Sequence, residues 1–290
     1  MVGASGSSND SVNASSVMSR AATPAGRAKT QRCAVRCAAM DLGIAGRRAA
    51  VAASSSGLGL ACARALAAEG VRVALCSRDA GRVEAAAAGI RQDGGDAMGL
   101  VADVSATEDA AGFVEAAAAA LGGVDILVTN AGGPPAGTFA STDLDAYLPA
   151  LRLNLLSTVA LCSAAVPAMV AAGWGRVVAI TSGTVRQPAP DLILSNTARA
   201  GATGFLKTLA TEVAPHGVTV NSVQPGLHAT DRLAQLYGGD LAGAAARVPA
   251  GALGDPADFG AAVAFLCSEH ARFITGAALP VDGGAAKGLQ

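Results

Sequence analysis

Apolar runs of four to seven residues recur at 49–53, 71–76, 98–102, 124–129, 176–181, 218–223 and 277–281, and each but the last is followed by Ala-rich sequence of helical character. That rhythm predicts a parallel sheet with helices on both faces. Helices are expected near 58–69, 79–91, 107–121, 143–172, 192–214 and 256–268. Gly70, Gly122, Gly123, Gly173 and Gly217 fall where these helices must stop and turn back into strands. The fold class read from the pattern is α/β, a Rossmann-type doubly wound parallel sheet of about seven strands, in a single domain over residues 41–290.

Composition sharpens this picture at two points. The chain has 290 residues, 51% of them apolar and only 3% aromatic, so one core of Ala, Val and Leu is expected. The first forty residues differ: they are rich in Ser and Ala, without hydrophobic periodicity, and carry Arg20, Arg27, Lys29, Arg32 and Arg36 against Asp10. Residues 1–40 therefore read as an organelle transit peptide, with processing near Arg36-Cys37-Ala38-Ala39; the alternative is a disordered extension. Their Ser and Ala content points to a chloroplast, with a mitochondrion or the cytosol as alternatives. Setting them aside leaves 16 basic and 21 acidic residues, a net charge near −5, which excludes a general nucleic-acid binder.

Cys33, Cys37, Cys62, Cys76, Cys162 and Cys267 form no Cys-x-x-Cys pair, and no histidines stand at ligand spacing, so no metal site and no disulfide framework are expected. The uncharged stretch from Leu155 to Gly173 has the length of a membrane span. It contains Ser157, Thr158, Ser163 and Pro167 and lies between two strands, so it is read as a helix buried against the sheet, and no membrane span is expected.

The chain carries Ala53-Ser54-Ser55-Ser56-Gly57-Leu58-Gly59, Asn130-Ala131-Gly132, Asn154, Ser182, Pro225-Gly226, and Val281-Asp282-Gly283-Gly284 near the end. In that order and spacing, from about residue 42 onward, these segments resemble the short-chain dehydrogenase/reductase family, most closely its 3-oxoacyl-[acyl-carrier-protein] reductase-like branch. The resemblance implies a dinucleotide site. Gly57 and Gly59 admit the pyrophosphate to the backbone and the helix start faces it, while Ser54, Ser55 and Ser56 add hydroxyl donors. Ala53 stands where the family has its first glycine, and a negative φ is expected there. Ser77-Arg78 follows the second strand in place of a ribose-binding acid, so NADP(H) is preferred over NAD(H), with Asp79 read as a helix N-cap. Asp103-Val104 is similar to the adenine-contacting pair, and Ala131 and Gly132 bring backbone to the ribose. Pro225-Gly226 forms the later cofactor turn, and Thr230 stands at the carboxamide position or caps a helix.

The same resemblance implies hydride transfer to a carbonyl, but the proton donor departs from the family. Where the family has Tyr-x-x-x-Lys, this chain reads Ser195-Asn196-Thr197-Ala198-Arg199. The i, i+4 spacing keeps the two side chains on one helix face. A serine hydroxyl is far less acidic than a phenol, however, and Arg199 is a permanent cation that can bind the cofactor's ribose hydroxyls or an anionic oxygen but cannot relay protons as a lysine might. The candidate catalytic set is Asn154, Ser182, Ser195 and Arg199, with Tyr237 and His228 as weaker proton donors. Pro188, Pro190, Leu192, Ile193, Leu194, Leu233, Leu236 and Tyr237 suggest an apolar pocket wall, with Arg186 and Arg232 at its mouth. The reading is an NADP(H)-dependent reductase of a carbonyl, a 3-oxoacyl thioester or other apolar ketone or aldehyde, forming a homo-dimer or tetramer. The alternative is a non-catalytic NADP(H)-binding subunit or sensor of the same fold.

Overall fold

In the computed structural model, which describes residues 40–289, seven parallel strands lie in the order β3-β2-β1-β4-β5-β6-β7. They are β1 (Arg48–Val51), β2 (Arg72–Ser77), β3 (Asp96–Val101), β4 (Ile126–Thr129), β5 (Gly175–Ile180), β6 (Val218–Pro225) and β7 (Ala278–Val281). β4 and β5 are buried along their whole length, as expected of strands covered on both faces and so written as continuous apolar runs.

The helices are α1 (Gly57–Ala68), α2 (Ala80–Gln92), α3 (Thr107–Leu121), α4 (Tyr147–Leu151), α5 (Ser157–Ala172), α6 (Ile193–Val213), α7 (Asp231–Leu236), α8 (Leu241–Ala245) and α9 (Pro256–Leu266). One face of the sheet is covered by α1, α2 and α9 through Leu66, Val83, Ile90, Phe259 and Val263. The other is covered by α3, α5 and α6 through Phe113, Val114, Leu161, Met169 and Leu206. Small residues set the spacing between helices. A Cβ on Gly260 of α9 would stand 2.5 Å from the Ala61 carbonyl oxygen of α1, so only glycine permits that approach.

The expected helix stops hold, since Gly70, Gly122, Gly123, Gly173 and Gly217 all take positive φ. The helix expected over 143–172 is present as Leu144–Ala172, but it is not α-helical throughout. Between α4 and α5 the turn Arg152–Leu156 is π-helical, the kind of local widening that recurs at functional positions, and Asn154 sits inside it. Leu144–Ala172 is long and apolar enough to cross a membrane by length and composition. In the fold, Leu161, Cys162, Ala165, Val166 and Met169 of α5 pack into the core on the sheet.

The entry to the sheet centre is held by charge. Arg48 at the start of β1 donates from Nε (2.7 Å) and Nη2 (2.5 Å) to Asp125, whose carboxylate also accepts the Arg48 backbone N–H at 2.9 Å. Burial by itself would raise the Asp125 carboxyl, but these hydrogen bonds and the guanidinium charge outweigh it and hold the group below its usual range. Cys62, Cys76, Cys162 and Cys267 are free and buried, and burial pushes their thiols up. They act as small core residues. Cys33 and Cys37, and the transit-peptide reading of residues 1–40, lie outside the described residues apart from Met40.

Candidate active site

The strand order reverses between β1 and β4, and the loops leaving those two strands open a crevice at the carboxyl edge of the sheet. A cleft of about 1080 Å³ fills it. At its floor, Asn130 after β4 donates from Nδ2 to the Ala53 carbonyl oxygen after β1 at 3.0 Å. A Cβ on Gly59 would meet both of these atoms at 2.7 Å, so the first turn of α1 can lie against the loop only with glycine there. Gly57 has φ +58, and the Cβ it lacks would reach only Thr230, at 3.8 Å, leaving the backbone open to a ligand.

Two expectations for this loop need correction. Ala53 takes φ +45 rather than a negative value. Its N–H points to Cys76 Sγ at 3.3 Å and the Ser54 N–H to the Cys76 carbonyl at 2.9 Å, and these anchors to the end of β2 hold the left-handed turn although the residue has a side chain. Ser54 is fully buried and spends its hydroxyl on the Val51 carbonyl at 2.7 Å, so it is no donor to a phosphate. Ser55, Ser56, Gly57, Leu58 and Gly59 do line the cleft.

Ser77 and Arg78 line the same end, with Asp103 and Val104. Asp79 caps α2 through the Arg82 N–H at 2.9 Å, as its sequence position suggested. The Arg82 side chain lines the cleft, where Nη2 reaches Ser56 Oγ at 3.3 Å. No signal in the sequence marks Arg82, because Arg78 lies in extended chain ahead of the Asp79 cap and the two share no helix face. Burial tends to raise the Asp103 carboxyl, but hydrogen bonds from Ser105 and the charge of Arg78 bring it below the usual range, so Asp103 is ionised.

At the other end of the cleft stand Ser182, Ser195 and Arg199, with Ala131 and Gly132. Ser195 lies on the face of α6 that also carries Leu194, Ala198 and Ala202, so it is held where apolar side chains bury. No intramolecular hydrogen bond engages its hydroxyl among the described residues. Ser182 Oγ accepts from Thr184 N (3.2 Å) and Thr184 Oγ1 (3.0 Å), which leaves its own proton to give. Arg199, one turn beyond Ser195, donates from Nη1 to the Ile180 and Thr181 carbonyls (3.1 and 3.0 Å) and from Nη2 to the Gly132 carbonyl (3.4 Å). Burial, with the nearby charge of Arg232, lowers its pKa to about 10, far enough above neutrality to keep it cationic.

Asn154 does not line the cleft but stands behind it. Its Nδ2 donates to the Gly132 carbonyl at 2.9 Å, while its buried Oδ1 has no protein partner. Pro225 and Gly226 line the cleft, and Thr230 lines it while its Oγ1 caps α7 through the Leu233 N–H at 3.3 Å. Both sequence readings of Thr230 are therefore compatible with its position.

The alternative proton donors fare differently. Tyr237 is not among the lining residues and lies under the Arg247 guanidinium, 5.6 Å away. His228 lines the cleft, but it is buried edge-on against Phe259 (5.1 Å) with Nδ1 on the Gly226 carbonyl at 3.3 Å. Burial pushes its pKa down, so it is uncharged at neutral pH and has little proton to offer. Arg186 reaches the Ala278 carbonyl and does not line the cleft. Leu192, Leu194, Leu233 and Leu236 form the expected apolar wall, whereas Pro188, Pro190 and Ile193 do not. Pro134, Pro135, Pro149 and Leu153, from the β4 and α4 side, complete it.

Residues 52–286 match a family model described as enoyl-(acyl carrier protein) reductase. The dehydrogenase/reductase SDR family member 4 of Sus scrofa is 36% identical over 247 residues, covering 83% of this chain and 88% of that protein. The 3-oxoacyl-[acyl-carrier-protein] reductase FabG of Haemophilus influenzae is 36% identical over 239 residues, covering 82% and 98%. Among solved structures, the L-sorbose reductase of Gluconobacter frateurii, complexed with NADPH and L-sorbose, superposes with a TM-score of 0.81 at 33% identity, covering 86% of this chain and all of that one. With its switch-point cleft, glycine loop and Ser182, this chain belongs to the short-chain dehydrogenase/reductase family.

Proposed function

We propose that this protein is an NADP(H)-dependent carbonyl reductase with NADP(H) preferred over NAD(H). The observation that carries the reading is that Ser182, Ser195 and Arg199 line one continuous cleft with the glycine loop and Arg78. The cleft fits the dinucleotide on its own terms. Gly57 leaves the backbone open where a Cβ would stand, Ser55 and Ser56 offer hydroxyls, and Arg78 and Arg82 supply two cations where a 2′-phosphate would lie. Asp103 and Val104 serve the adenine, and Ala131, Gly132, Pro225, Gly226 and Thr230 the nicotinamide half. Bound NADPH supplies the hydride.

The chain's own residues then handle the oxygen. Ser182, its Oγ already accepting from Thr184, gives its proton as a hydrogen bond to the carbonyl oxygen. Ser195 passes a proton to that oxygen, directly or through a water, and takes one back from solvent water in the open cleft, so that the net proton comes from solvent. Arg199 stabilises the negative charge that builds there, and Asn154 fixes the Gly132 turn and offers Oδ1 to a water. Lacking a good general acid costs roughly 10²- to 10⁴-fold. Positioning of donor and acceptor can supply up to about 7–11 kcal/mol. The set therefore supports slow reduction of an apolar ketone, aldehyde or 3-oxoacyl thioester. NADPH oxidation across such carbonyls tests it: Ser195→Ala should lower kcat markedly, and no turnover with any carbonyl would refute it.

A second reading rests on the Ser195 and Arg199 replacements themselves, namely a non-catalytic NADP(H)-binding subunit or sensor. Under that reading the unaltered protein binds NADPH and is inert, while Ser195→Tyr with Arg199→Lys restores turnover. Exposed Phe139, Leu144 and Leu148 support a homo-oligomer. The Ser-, Ala- and Arg-rich residues 1–40 support import into a plastid, which a fluorescent fusion tests.

A further inference from the structure

Two guanidiniums from different helices converge on three consecutive backbone residues. Arg199 of α6 reaches the Gly132 carbonyl with Nη2 at 3.4 Å. Arg232 of α7 reaches the Pro134 carbonyl with Nη2 at 3.1 Å. The residue between them is Gly133, and a Cβ there would stand 3.0, 3.3 and 3.4 Å from Arg232 Nη2, Nε and Cζ, so that guanidinium lies against the bare glycine. Both side chains line the cleft beside its apolar wall.

Neither cation has a carboxylate within ion-pair distance among the described residues. The acids that line the cleft are all otherwise engaged or apart. Asp103 binds Ser105, and Asp282 accepts the Gly284 and Ala286 N–H groups at 2.9 Å each. Asp231, next to Arg232 in sequence, makes no ion pair with it. Two like charges held together in a partly desolvated cleft repel each other, and the arrangement is relieved when an anion enters between them. The cofactor's 2′-phosphate is served by Arg78 and Arg82 at the far end and its pyrophosphate by the Gly57–Gly59 loop and the start of α1, so the charge required here belongs to something else.

We infer that Arg199 and Arg232 form a clasp for a carboxylate on the substrate, so that the carbonyl compounds this protein reduces are oxo acids. Arg232, bound only to the Pro134 carbonyl among the described residues, offers its remaining N–H groups to the carboxylate. Arg199, whose Nη1 is spent on Ile180 and Thr181, adds chiefly its charge, and the neighbouring leucines take the carbon chain. The inference rests on the reductase reading above and changes its substrate from a wholly apolar carbonyl compound to one that carries a carboxylate.

The test pairs levulinate with methyl levulinate, which share the ketone and differ in charge, using the full chain and NADPH. Wild type is expected to favour the acid by about 10- to 100-fold in kcat/KM, the worth of a charged hydrogen-bonded contact. Arg232→Met should bring the acid-to-ester ratio close to one, chiefly through KM, and Arg232→Lys should keep part of the preference. Thermal melts of both variants establish that they are folded.

Binding of the two probes to the NADPH complex, read by nicotinamide fluorescence, gives the same comparison without turnover. Equal affinity for acid and ester in wild type overturns the clasp, as does an unaltered ratio in folded Arg232→Met. Weakening of NADPH itself by tenfold or more in Arg232→Met also overturns it, since the arginine would then serve the cofactor's pyrophosphate. A preference for the acid in binding with no reduction of either probe supports the clasp and counts against the reductase reading alone.

Discussion

Asn130 and Ala53, 77 residues apart, meet across the switch point of the sheet through one hydrogen bond of 3.0 Å from the amide side chain to the backbone carbonyl. The contact joins the loops after β4 and β1 and sets the floor of the cleft. It also shows how a residue with a side chain is kept at φ +45, because the carbonyl and the N–H of Ala53 are both held.

That conformation has a cost that glycine avoids. A left-handed L-residue is disfavoured by roughly 1–2 kcal/mol, while glycine adds about 0.5–1 kcal/mol of unfolded-state entropy. Ala53→Gly should therefore stabilise the fold by about 0.5–1 kcal/mol, seen as a higher midpoint in denaturant. A lower midpoint would contradict the positive φ.

Gly59 responds in the opposite sense. Gly59→Ala forces a methyl against the Ala53 oxygen and Asn130 Nδ2, both at 2.7 Å from its ideal place. The loop must shift, and NADPH affinity should fall by at least about tenfold. Titration of nicotinamide fluorescence measures this, and unchanged affinity would remove the loop from the cofactor site.

Arg78 and Arg82 are expected to act together on the cofactor's extra phosphate. The double substitution Arg78→Gln, Arg82→Gln should raise Kd for NADPH by about 10- to 100-fold and change that for NADH by much less. Calorimetry with both dinucleotides checks the ratio; parallel losses would assign the two arginines a structural role.

Asp125 gives stability a pH dependence. Its carboxyl is held below the usual range in the fold, so its contribution is fully present above the unfolded value near 3.9 and is lost as pH falls through the folded value below it. Asp125→Asn should destabilise by about 2 kcal/mol between pH 5 and 7, through loss of the charged bonds to Arg48. The gap from wild type should shrink below about pH 4 in urea melts.

The legible parts of this protein were those written in local sequence. The cap at Asp79, the glycine stops and the seven apolar runs each follow from a few adjacent residues and from the periodicity of a strand or helix. The helix over 143–172 was legible and runs Leu144–Ala172, but apolar composition carries no mark of the π turn inside it, where Asn154 is held to Gly132. Ser54 and Ser55 look alike in sequence, yet one hydroxyl is spent on Val51 and the other faces the cleft.

By itself, then, the sequence determined the strand and helix order, the glycine loop and the replacement of the family's tyrosine and lysine by Ser195 and Arg199, since these need only residue types at given spacings. Tertiary structure alone decided that Arg82 joins Arg78, that His228 is buried and uncharged, and that Arg232 comes to rest beside Arg199. The physical reason is that burial and charge pairing depend on which distant segments pack together, and no spacing along the chain encodes a distance across the cleft.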